Sequence, residues 1–338
     1  MEGGMDKLAI IGAGAWGTAL AVTARRAGRE VVLWAREAEV ARAINAGREN
    51  TAFLPGVQLP PGVVATTDLA DAAVADAIFL VTPAQHLRQV AGRLAAHWRA
   101  GTPAVVCAKG VEGGTLALMT EVVAEALPGA VPAVLSGPTF AIEVARGLPT
   151  AVTLACADRA LGEALVGAIG TQTFRPYLAD DLVGVQVGGA VKNVLAIACG
   201  IVEGCALGDN ARAALVTRGL AEMMRLAAAK GGRRETLMGL SGLGDLILTA
   251  NSHQSRNYSL GVALGRGETL GAILGKRASV TEGVASAASV AALARRLTVD
   301  MPICFAVDSL LHHGASLSAT IAGLLARPFK NETTDSTI

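Results

Sequence analysis

The chain has 338 residues, of which 52% are hydrophobic, 17% are charged and only 3% are aromatic. This length suits two domains with sizeable cores, and this composition excludes a disordered chain. The formal net charge is +1 and no long basic cluster is present, so nothing favours nucleic acid as a partner.

The apolar runs and the cysteines indicate a cytoplasmic location. Apolar runs are interrupted by Pro and Gly, as in 127–142, or are short, as in 193–202, so we expect no membrane span and no stable membrane insertion. Residues 1–7 lack the layout of a signal peptide. The five cysteines are scattered, which is typical of reduced thiols, and the five histidines lack the spacing of a metal site.

The first predicted elements form a turn suited to a dinucleotide. The apolar run 8–11 predicts a strand, and the alanine-rich segment 18–27 predicts a helix. Between them, Gly12, Gly14 and Gly17 form a G-x-G-x-x-G pattern. The first glycine permits a tight turn, the second lets the backbone approach a pyrophosphate, and the third lets the helix pack on the strand. Free N–H groups at the helix N-terminus would bind the anion. The alternative is a plain glycine turn.

The end of the second predicted strand, 31–34, bears on the cofactor. An acid at this place usually binds the ribose 2′-hydroxyl of NAD, but here Ala35 and Arg36 follow the strand. Glu37 is near but would begin the next helix. Because an arginine can contact a 2′-phosphate, NADPH is accommodated. The alternative is a surface arginine in a loop.

Strand and helix patterns alternate through the first half of the chain. The further segments predicted as strands are 62–66, 77–81, 104–107, 131–135 and 150–154. The segments predicted as helices are 37–46, 82–98 and 116–127. Apolar strands separated by helices indicate a parallel sheet covered on both faces, with its ligand at the carboxyl ends of the strands.

After about Asp180 the pattern changes to long segments of helical period. These segments are 181–203, 211–230, 284–297 and 303–311. In the second of them Arg218 and Glu222 stand four residues apart, so we expect that helix to present a charged edge beside an apolar one. We therefore predict a dinucleotide-binding α/β domain at 1–180 and an all-α, substrate-binding domain at 181–330.

Two lysines are candidates for chemistry. Lys109 follows the predicted strand 104–107 and should point into the crevice, unless it is a solvated loop lysine. Lys192 lies in an apolar helix, behind Gly188 and Gly189 and without an acidic neighbour in sequence. Burial of a lysine is costly unless a negative group meets it. Each glycine weakens a helix by about 1 kcal/mol, which suggests that another backbone or a ligand comes close. The alternative is a purely structural lysine.

Three polar stretches complete the set of candidates. The glycine turn 241–245 ends in Asp245, for which the alternative is a helix N-cap. Residues 255–257 begin a predicted helix and form a candidate phosphate clamp, unless they are a polar connecting loop. The stretch 136–140 also follows a strand and begins a helix. His253 is more simply a solvated loop histidine than a catalytic base.

Together these motifs closely resemble those of the bacterial-type NAD(P)-dependent glycerol-3-phosphate dehydrogenases. The matching stretches, in the family's order, are 12–19, 109–110, 136–141, 147–151, 184–193, 210–223, 242–246 and 254–257. The resemblance implies a Rossmann-type domain followed by an all-α domain of the 6-phosphogluconate-dehydrogenase-like kind. It also implies reversible reduction of a small phosphorylated triose, dihydroxyacetone phosphate, to sn-glycerol 3-phosphate, which supplies phospholipid synthesis.

The resemblance further implies roles for the matching residues. The implied catalytic residues are Lys192 as acid/base, Lys109 and Asp245. The implied substrate contacts are Lys109, Gly137, Thr139, Lys192, Asp245, Ser255, Arg256 and Asn257. The implied cofactor contacts, with the glycines of the first turn, are Gly12, Gly14, Ala15, Trp16, Gly17, Arg36, Lys109, Ala141, Arg256, Val280 and Glu282. Thr139 stands where the family often has serine and keeps the hydroxyl. The cofactor is NADP or NAD, with the preference open. The oligomeric state is also open, with a homodimer as one candidate.

Two other functions remain as alternatives. One is a related two-domain dehydrogenase of another hydroxy acid, whose carboxylate the clamp at 255–257 could bind. The other is a non-catalytic sensor of the NADH/NAD ratio, which would not need two lysines and an acid at the nicotinamide.

Overall fold

The structure is a computed structural model that describes residues 4–276 and 281–329. Its first part is built on a sheet. The strands, in chain order, are β1 (Lys7–Ile11), β2 (Glu30–Trp34), β3 (Glu49–Asn50), β4 (Leu54–Gln58), β5 (Val63–Thr66), β6 (Ala77–Leu80), β7 (Pro103–Val106), β8 (Val131–Ser136), β9 (Thr150–Cys156) and β10 (Phe174–Ala179). The helices among them are α1 (Ala15–Arg26), α2 (Ala38–Gly47), α3 (Leu69–Ala73), α4 (Leu87–Leu94), α5 (Met119–Ala126), α6 (Ala141–Arg146) and α7 (Arg159–Ile169).

Eight of these strands form one sheet in the order β10-β9-β8-β7-β6-β1-β2-β5, while β3 and β4 form a separate hairpin. The predicted parallel sheet is confirmed from β8 through β5. It is wrong for β9, which pairs antiparallel with β8, and β10 then runs parallel to β9. An apolar strand buries the same side chains in either direction, so its sequence pattern carries no information on direction.

Both faces of the sheet are covered, as predicted. One face packs against α1, α2, α6 and α7, and the other packs against α3, α4 and α5. The strands β1 and β6 are almost wholly buried because helices lie on both sides of them. The carboxyl ends of β1, β2, β6, β7 and β8 therefore open to one edge, where a ligand can reach the chain.

The second part of the described chain is helical. Its helices are α8 (Leu182–Gly204), α9 (Asp209–Ala229), α10 (Asp245–Ala250), α11 (Arg256–Gly265), α12 (Leu270–Gly275), α13 (Glu282–Arg296), α14 (Pro302–His312) and α15 (Leu317–Leu325). Short 3₁₀ and π turns at Glu235–Met238 and Leu240–Gly244 precede α10. The change from strands to helices falls between Ala179 and Leu182. The domain division at 180/181 stays a prediction, since Val111 and Leu118 from the first part pack in the helical core.

The helix α8 is the centre of this helical part. It packs against α9, α10, α11, α13 and α14. By length and composition α8 could cross a membrane, but its most apolar window is 100% buried inside the protein, as in a core helix. The helix was predicted at 181–203, and the charge-free run within it, 193–202, is short because Lys192 interrupts the apolar sequence.

The helices α8 and α11 lie side by side in the same direction, in contact through their backbones. A Cβ added to Gly200 of α8 would lie 2.1 Å from the carbonyl oxygen of Tyr258. A Cβ added to Gly261 of α11 would lie 2.0 Å from the carbonyl oxygen of Ile197. Only glycine therefore permits this separation of the two helices.

The expected charged edge on α9 is wrong at Glu222. This side chain is 1% exposed, and its carboxylate accepts hydrogen bonds from the backbone N–H groups of Ile303 (2.8 Å) and Cys304 (3.1 Å). It thus satisfies two donors in the first turn of α14, where Pro302 begins the helix. Sequence spacing alone could not show that another helix end covers this position.

Candidate active site

The turn between β1 and α1 has the predicted shape. Gly12 has a φ of +124°, and a Cβ there would lie 3.0 Å from the backbone of Val81. A Cβ on Gly17 would lie 1.8 Å from the carbonyl oxygen of Gly12, so close packing of α1 on the strand requires glycine.

The second glycine of the turn borders open space. A Cβ on Gly14 would meet nothing within 4 Å, and Gly14 is the N-cap of α1 without a side-chain cap. The N–H groups of the first turn, including those of Ala15 and Trp16, have no acceptor within the helix, and no acidic residue lies in that turn. The turn therefore fits an anion such as a pyrophosphate.

At the carboxyl end of β2 the structure brings an arginine and an acid together. Arg36 is 74% exposed at its side chain and donates to Oε1 of Glu37 from Nε at 2.8 Å and from Nη2 at 2.5 Å. Glu37 is the N-cap of α2, in agreement with its predicted place at the start of a helix. Arg36 is thus at the predicted place, but with a carboxylate partner that the sequence argument did not assign.

The two candidate lysines meet on the candidate aspartate. Lys109 Nζ donates to Asp245 Oδ2 at 2.5 Å, and Lys192 Nζ donates to Asp245 Oδ1 at 2.9 Å. Asp245 is 1% exposed and Lys192 is 8% exposed. A carboxylate and two ammonium groups thus share a site with little access to water.

Three different elements bring these side chains together. Lys109 follows β7 at the carboxyl edge of the sheet, Lys192 lies in the middle of α8, and Asp245 begins α10. The alternative of a helix N-cap does not describe Asp245, because the N-cap of α10 is Gly244 and both carboxylate oxygens accept from lysines. The alternative of a solvated loop lysine is wrong for Lys109, whose side chain is 14% exposed and contacts Asp245. A catalytic role for Lys192, rather than a purely structural one, stays a prediction.

The electrostatic surroundings shift the pKa values of this cluster. Burial lowers the pKa of Lys192, and although Asp245 opposes this effect, the pKa falls to about 8 with Lys109 contributing. Burial alone would raise the pKa of Asp245, but the charges of Lys109 and Lys192 together lower it below its ordinary value. At neutral pH Asp245 is therefore a carboxylate, and Lys192 is an ammonium that loses its proton readily.

The two glycines before Lys192 allow the close approach that their positions suggested. A Cβ on Gly188 would lie 2.5 Å from the carbonyl oxygen of Ser241, and a Cβ on Gly189 would lie 3.0 Å from Ser136 Oγ. Ser136 Oγ is buried and has no hydrogen-bond partner among the described residues. The glycines thus let the backbone before α10 and the end of β8 approach α8.

One residue of the cluster was missed by the sequence argument. Lys192 Nζ donates to Thr249 Oγ1 at 2.8 Å, and Thr249 Oγ1 lies 3.2 Å from Asp245 Oδ1. Thr249 follows Asp245 by four residues, so both lie on one face of α10. This spacing was a usable signal, provided that Asp245 was first placed on a helix.

Residues 137–141 lie beside Lys109. Lys109 Nζ also donates to the carbonyl oxygen of Gly137 at 3.0 Å, and Thr139 Oγ1 donates to the same oxygen at 3.2 Å. Gly137 has a φ of +151°, and Ala141 begins α6. The predicted substrate contacts of this stretch are thus within reach of the charged cluster.

In the candidate phosphate clamp at the start of α11, two of the three side chains already have protein partners. Ser255 is the N-cap and accepts from the backbone N–H of Tyr258, and Arg256 begins the helix. Asn257 is 8% exposed; its Nδ2 donates to Asn193 Oδ1 at 2.8 Å, and its Oδ1 accepts from the backbone N–H of Gly283 at 3.0 Å. The amide of Asn257 therefore connects α11 to α8 and α13.

Two predicted cofactor contacts remain, Glu282 and Val280. Burial raises the pKa of Glu282 at the start of α13, while the charges of Arg256, Lys192 and Lys109 lower it, so Glu282 shares the surroundings of the cluster. Val280 lies outside the described residues.

Within 4–276 and 281–329, no three His, Cys, Asp or Glu side chains are grouped as for a metal ion.

Family descriptions match both parts of this chain. The N-terminus of NAD-dependent glycerol-3-phosphate dehydrogenase matches residues 7–162, and the C-terminus of the same family matches residues 181–322. The chain belongs to the NAD-dependent glycerol-3-phosphate dehydrogenase family.

Individual relatives match nearly the whole length of this family member. It is 61% identical to a glycerol-3-phosphate dehydrogenase [NAD(P)+] of Parvibaculum lavamentivorans, over 97% of this chain and 98% of that one. It is 62% identical to an enzyme of the same name from Rhodospirillum rubrum, over 97% and 94% of the two chains. The crystal structure of glycerol-3-phosphate dehydrogenase from Coxiella burnetii is similar with a TM-score of 0.91 at 40% identity, covering 95% of this chain and 99% of that one. The Rossmann-type domain and the helical part that follows it are thus those of this dehydrogenase family.

Proposed function

We propose that this dehydrogenase reduces dihydroxyacetone phosphate to sn-glycerol 3-phosphate with NADH or NADPH, and that Lys192 supplies the proton. The observation that carries the proposal is the contact of Lys192 and Lys109 with the buried Asp245. A non-catalytic sensor has no use for such a costly cluster. When bound, the nicotinamide supplies the hydride that adds to the carbonyl carbon.

The residues of the cluster have separate tasks in this proposal. As the carbonyl carbon gains a hydride, the carbonyl oxygen takes the electron pair of the C–O π bond and removes a proton from Lys192 Nζ. Lys109, the second ammonium, stabilises the negative charge that develops on that oxygen. Asp245 orients both ammonium groups through its two oxygens, and Thr249 accepts a second hydrogen bond from Lys192. The reverse reaction begins from neutral Lys192 as the base.

The phosphate of the substrate would bind at the start of α11. Arg256 can donate charged hydrogen bonds to phosphate, and the N–H groups of the first turn of α11 add to this attraction. Ser255 and Asn257 keep their proposed substrate roles, although their side chains already have protein partners. Gly137 and Thr139 would contact the substrate from the side of Lys109. Binding energy from the phosphate would orient the carbonyl group.

The cofactor would extend along the carboxyl edge of the sheet. The turn formed by Gly12, Gly14 and Gly17 fits its pyrophosphate, with Ala15 and Trp16 in the same helix turn. Arg36 stands at the end of β2, three strands from Lys109 at the end of β7, which corresponds to about 14 Å. Such a separation suits the two ends of a dinucleotide. Ala141, Arg256 and Glu282 would lie nearer the nicotinamide, with Lys109.

The proposed function includes a metabolic role and a location in the cell. Its product supplies phospholipid synthesis, and we propose that it works in the cytoplasm. A homodimer stays a prediction.

A comparison of substrates with one variant tests the function. We expect the wild type to oxidise NADH or NADPH with dihydroxyacetone phosphate far faster than with dihydroxyacetone or with 2-keto acids. Lys192→Met should lose at least about 100-fold in kcat, within the usual range for general acid catalysis, and should still bind the cofactor. The matched control is Lys276→Met, which removes an exposed lysine from α12's end and should leave kcat unchanged.

Each contrary result points to a different alternative. A preference for a 2-keto acid would identify a dehydrogenase of another hydroxy acid. Cofactor binding without any turnover would identify a sensor. Near-normal kcat in Lys192→Met would move the proton donor to another group, such as Lys109 or a bound water.

A further inference from the structure

A second charged cluster lies at the far end of α8 and involves residues to which the mechanism assigns no task. Its centre is Glu203, and we name it the Glu203 cluster: Glu203, Arg212, His253 and Tyr258. The hydroxyl of Tyr258 donates to Glu203 Oε2, and His253 Nε2 lies 3.0 Å from Glu203 Oε1. Arg212 Nη1 donates to Glu203 Oε2 at 3.4 Å and to the Tyr258 hydroxyl at 3.3 Å. One carboxylate thus connects α8, α9, α11 and the loop before α11.

The two contacts with the loop and with α11 lie on either side of the proposed phosphate clamp. His253 precedes Arg256 by three residues, and Tyr258 follows it by two. Since Glu203 contacts both, it fixes the chain before and after residues 255–257. Arg256 itself starts α11.

The cluster is well suited to fix a segment of chain. Tyr258 is 1% exposed, and burial followed by the hydrogen bond to Glu203 raises its pKa, so its hydroxyl stays protonated and can donate. The His253 ring packs edge-on against the Tyr258 ring, with centroids 5.5 Å apart. His253 is exposed, as expected for a loop histidine, but it has a carboxylate partner.

The cluster is too remote to touch the reacting atoms. Glu203 follows Lys192 by eleven residues along α8, which corresponds to about 16 Å along the helix axis. Any effect of Glu203 on catalysis must therefore pass through the residues between His253 and Tyr258.

We infer that Glu203 is a positioning residue that acts through Arg256. By fixing His253 and Tyr258, it places the guanidinium for the substrate phosphate before the substrate arrives, so that binding costs less conformational entropy. The inference rests on the proposed phosphate role of Arg256. Loss of the Glu203 contacts should therefore weaken binding of the phosphorylated substrate in particular.

The test combines variants of Glu203 and Arg256. Glu203→Ala should raise the KM for dihydroxyacetone phosphate about tenfold, equivalent to roughly 1.4 kcal/mol of binding, while the helical content of the protein is unchanged. Glu203→Gln should recover part of the loss, because an amide oxygen can still accept one hydrogen bond. In an Arg256→Ala background, Glu203→Ala should raise the KM no further, since residues that act through one another are not additive. The matched control is Glu163→Gln, which affects an exposed ion pair on α7.

Two milder variants keep the test valid if Glu203→Ala does not fold. Tyr258→Phe removes only the hydroxyl and His253→Gln changes an exposed side chain, and each should raise the KM in the same direction by a smaller factor. An unchanged KM in these variants and in Glu203→Gln would overturn the inference, and so would an additive effect with Arg256→Ala. If the wild type does not reduce dihydroxyacetone phosphate at all, the proposed function fails first. If the wild type reduces dihydroxyacetone phosphate but the Glu203 variants keep its KM, the inference alone fails.

Discussion

Lys192 combines two properties that oppose each other in an ordinary lysine. It is buried, which favours the neutral amine, and it contacts Asp245, which favours the ammonium. The outcome is a pKa of about 8, close enough to neutral pH for a group that must both give and take a proton.

The pH dependence of catalysis should reflect this pKa. Reduction needs the ammonium of Lys192, so kcat/KM for dihydroxyacetone phosphate should fall as the pH rises through about 8. Oxidation of glycerol 3-phosphate needs the neutral amine, so its kcat/KM should rise over the same range. The measurement is a pair of profiles between about pH 6.5 and about pH 10 in both directions. Profiles that are flat around pH 8 would show that Lys192 is not the titrating group.

The pair formed by Arg36 and Glu37 should influence the choice of cofactor. Glu37 neutralises the guanidinium and would repel a 2′-phosphate, so Glu37→Gln should favour NADPH over NADH by about fivefold in kcat/KM, or roughly 1 kcal/mol. Arg36→Asp should have the opposite effect. Glu39→Gln, an exposed acid on the same helix, serves as the control. An unchanged ratio in Glu37→Gln would show that this pair does not contact the 2′ position.

Single residues also show where sequence reasoning was sufficient. Lys192 without an acidic neighbour in sequence implied a distant partner, and Asp245 is that partner. Thr249 could be found only after Asp245 had been placed on a helix. The partners of Asn257 could not be found, because no local pattern shows which faces of α8, α11 and α13 meet. Those contacts depend on how helices pack, and packing is a property of the assembled core.

Between elements, the contact of α9 with α14 depends on a buried carboxylate. Burial raises the pKa of Glu222 to about 7, although the N–H groups of Ile303 and Cys304 oppose the effect. In the unfolded chain a glutamate titrates near 4.3. The folded state therefore binds more protons between about pH 4.3 and about pH 7, and this residue makes the protein less stable as the pH rises through that range.

Glu222→Gln should remove that pH dependence. We compare the free energy of unfolding of the variant minus that of the wild type at two pH values. This difference should be more positive at about pH 8 than at about pH 5, by about 2–3 kcal/mol. Urea unfolding at the two pH values measures this difference. The control Glu163→Gln should show little change with pH, because its side chain is exposed. A difference for Glu222→Gln that is the same at both pH values would contradict a raised pKa.

For the whole molecule, the alternation of strands and helices was predictable, and so was the parallel direction of the predicted strands except at β9. Apolar runs predicted β1, β2 and β5 to β9, and helical period predicted α8, α9, α13 and α14. The exposed strand β10, the hairpin of β3 and β4, and α15 were missed, since α15 has no buried residue and β10 has few. The reversal at β9 was missed because burial patterns are the same for both directions.

The backbone contact between α8 and α11 also limits how the active site can move. Where Gly200 and Gly261 bring the two backbones together, no side-chain layer lies between them that could rearrange. The two helices should therefore move as one rigid body, together with Lys192 and Arg256. A change in the width of the crevice therefore cannot come from a separation of α8 from α11, and Lys192 and Arg256 keep their spacing in every state of the site.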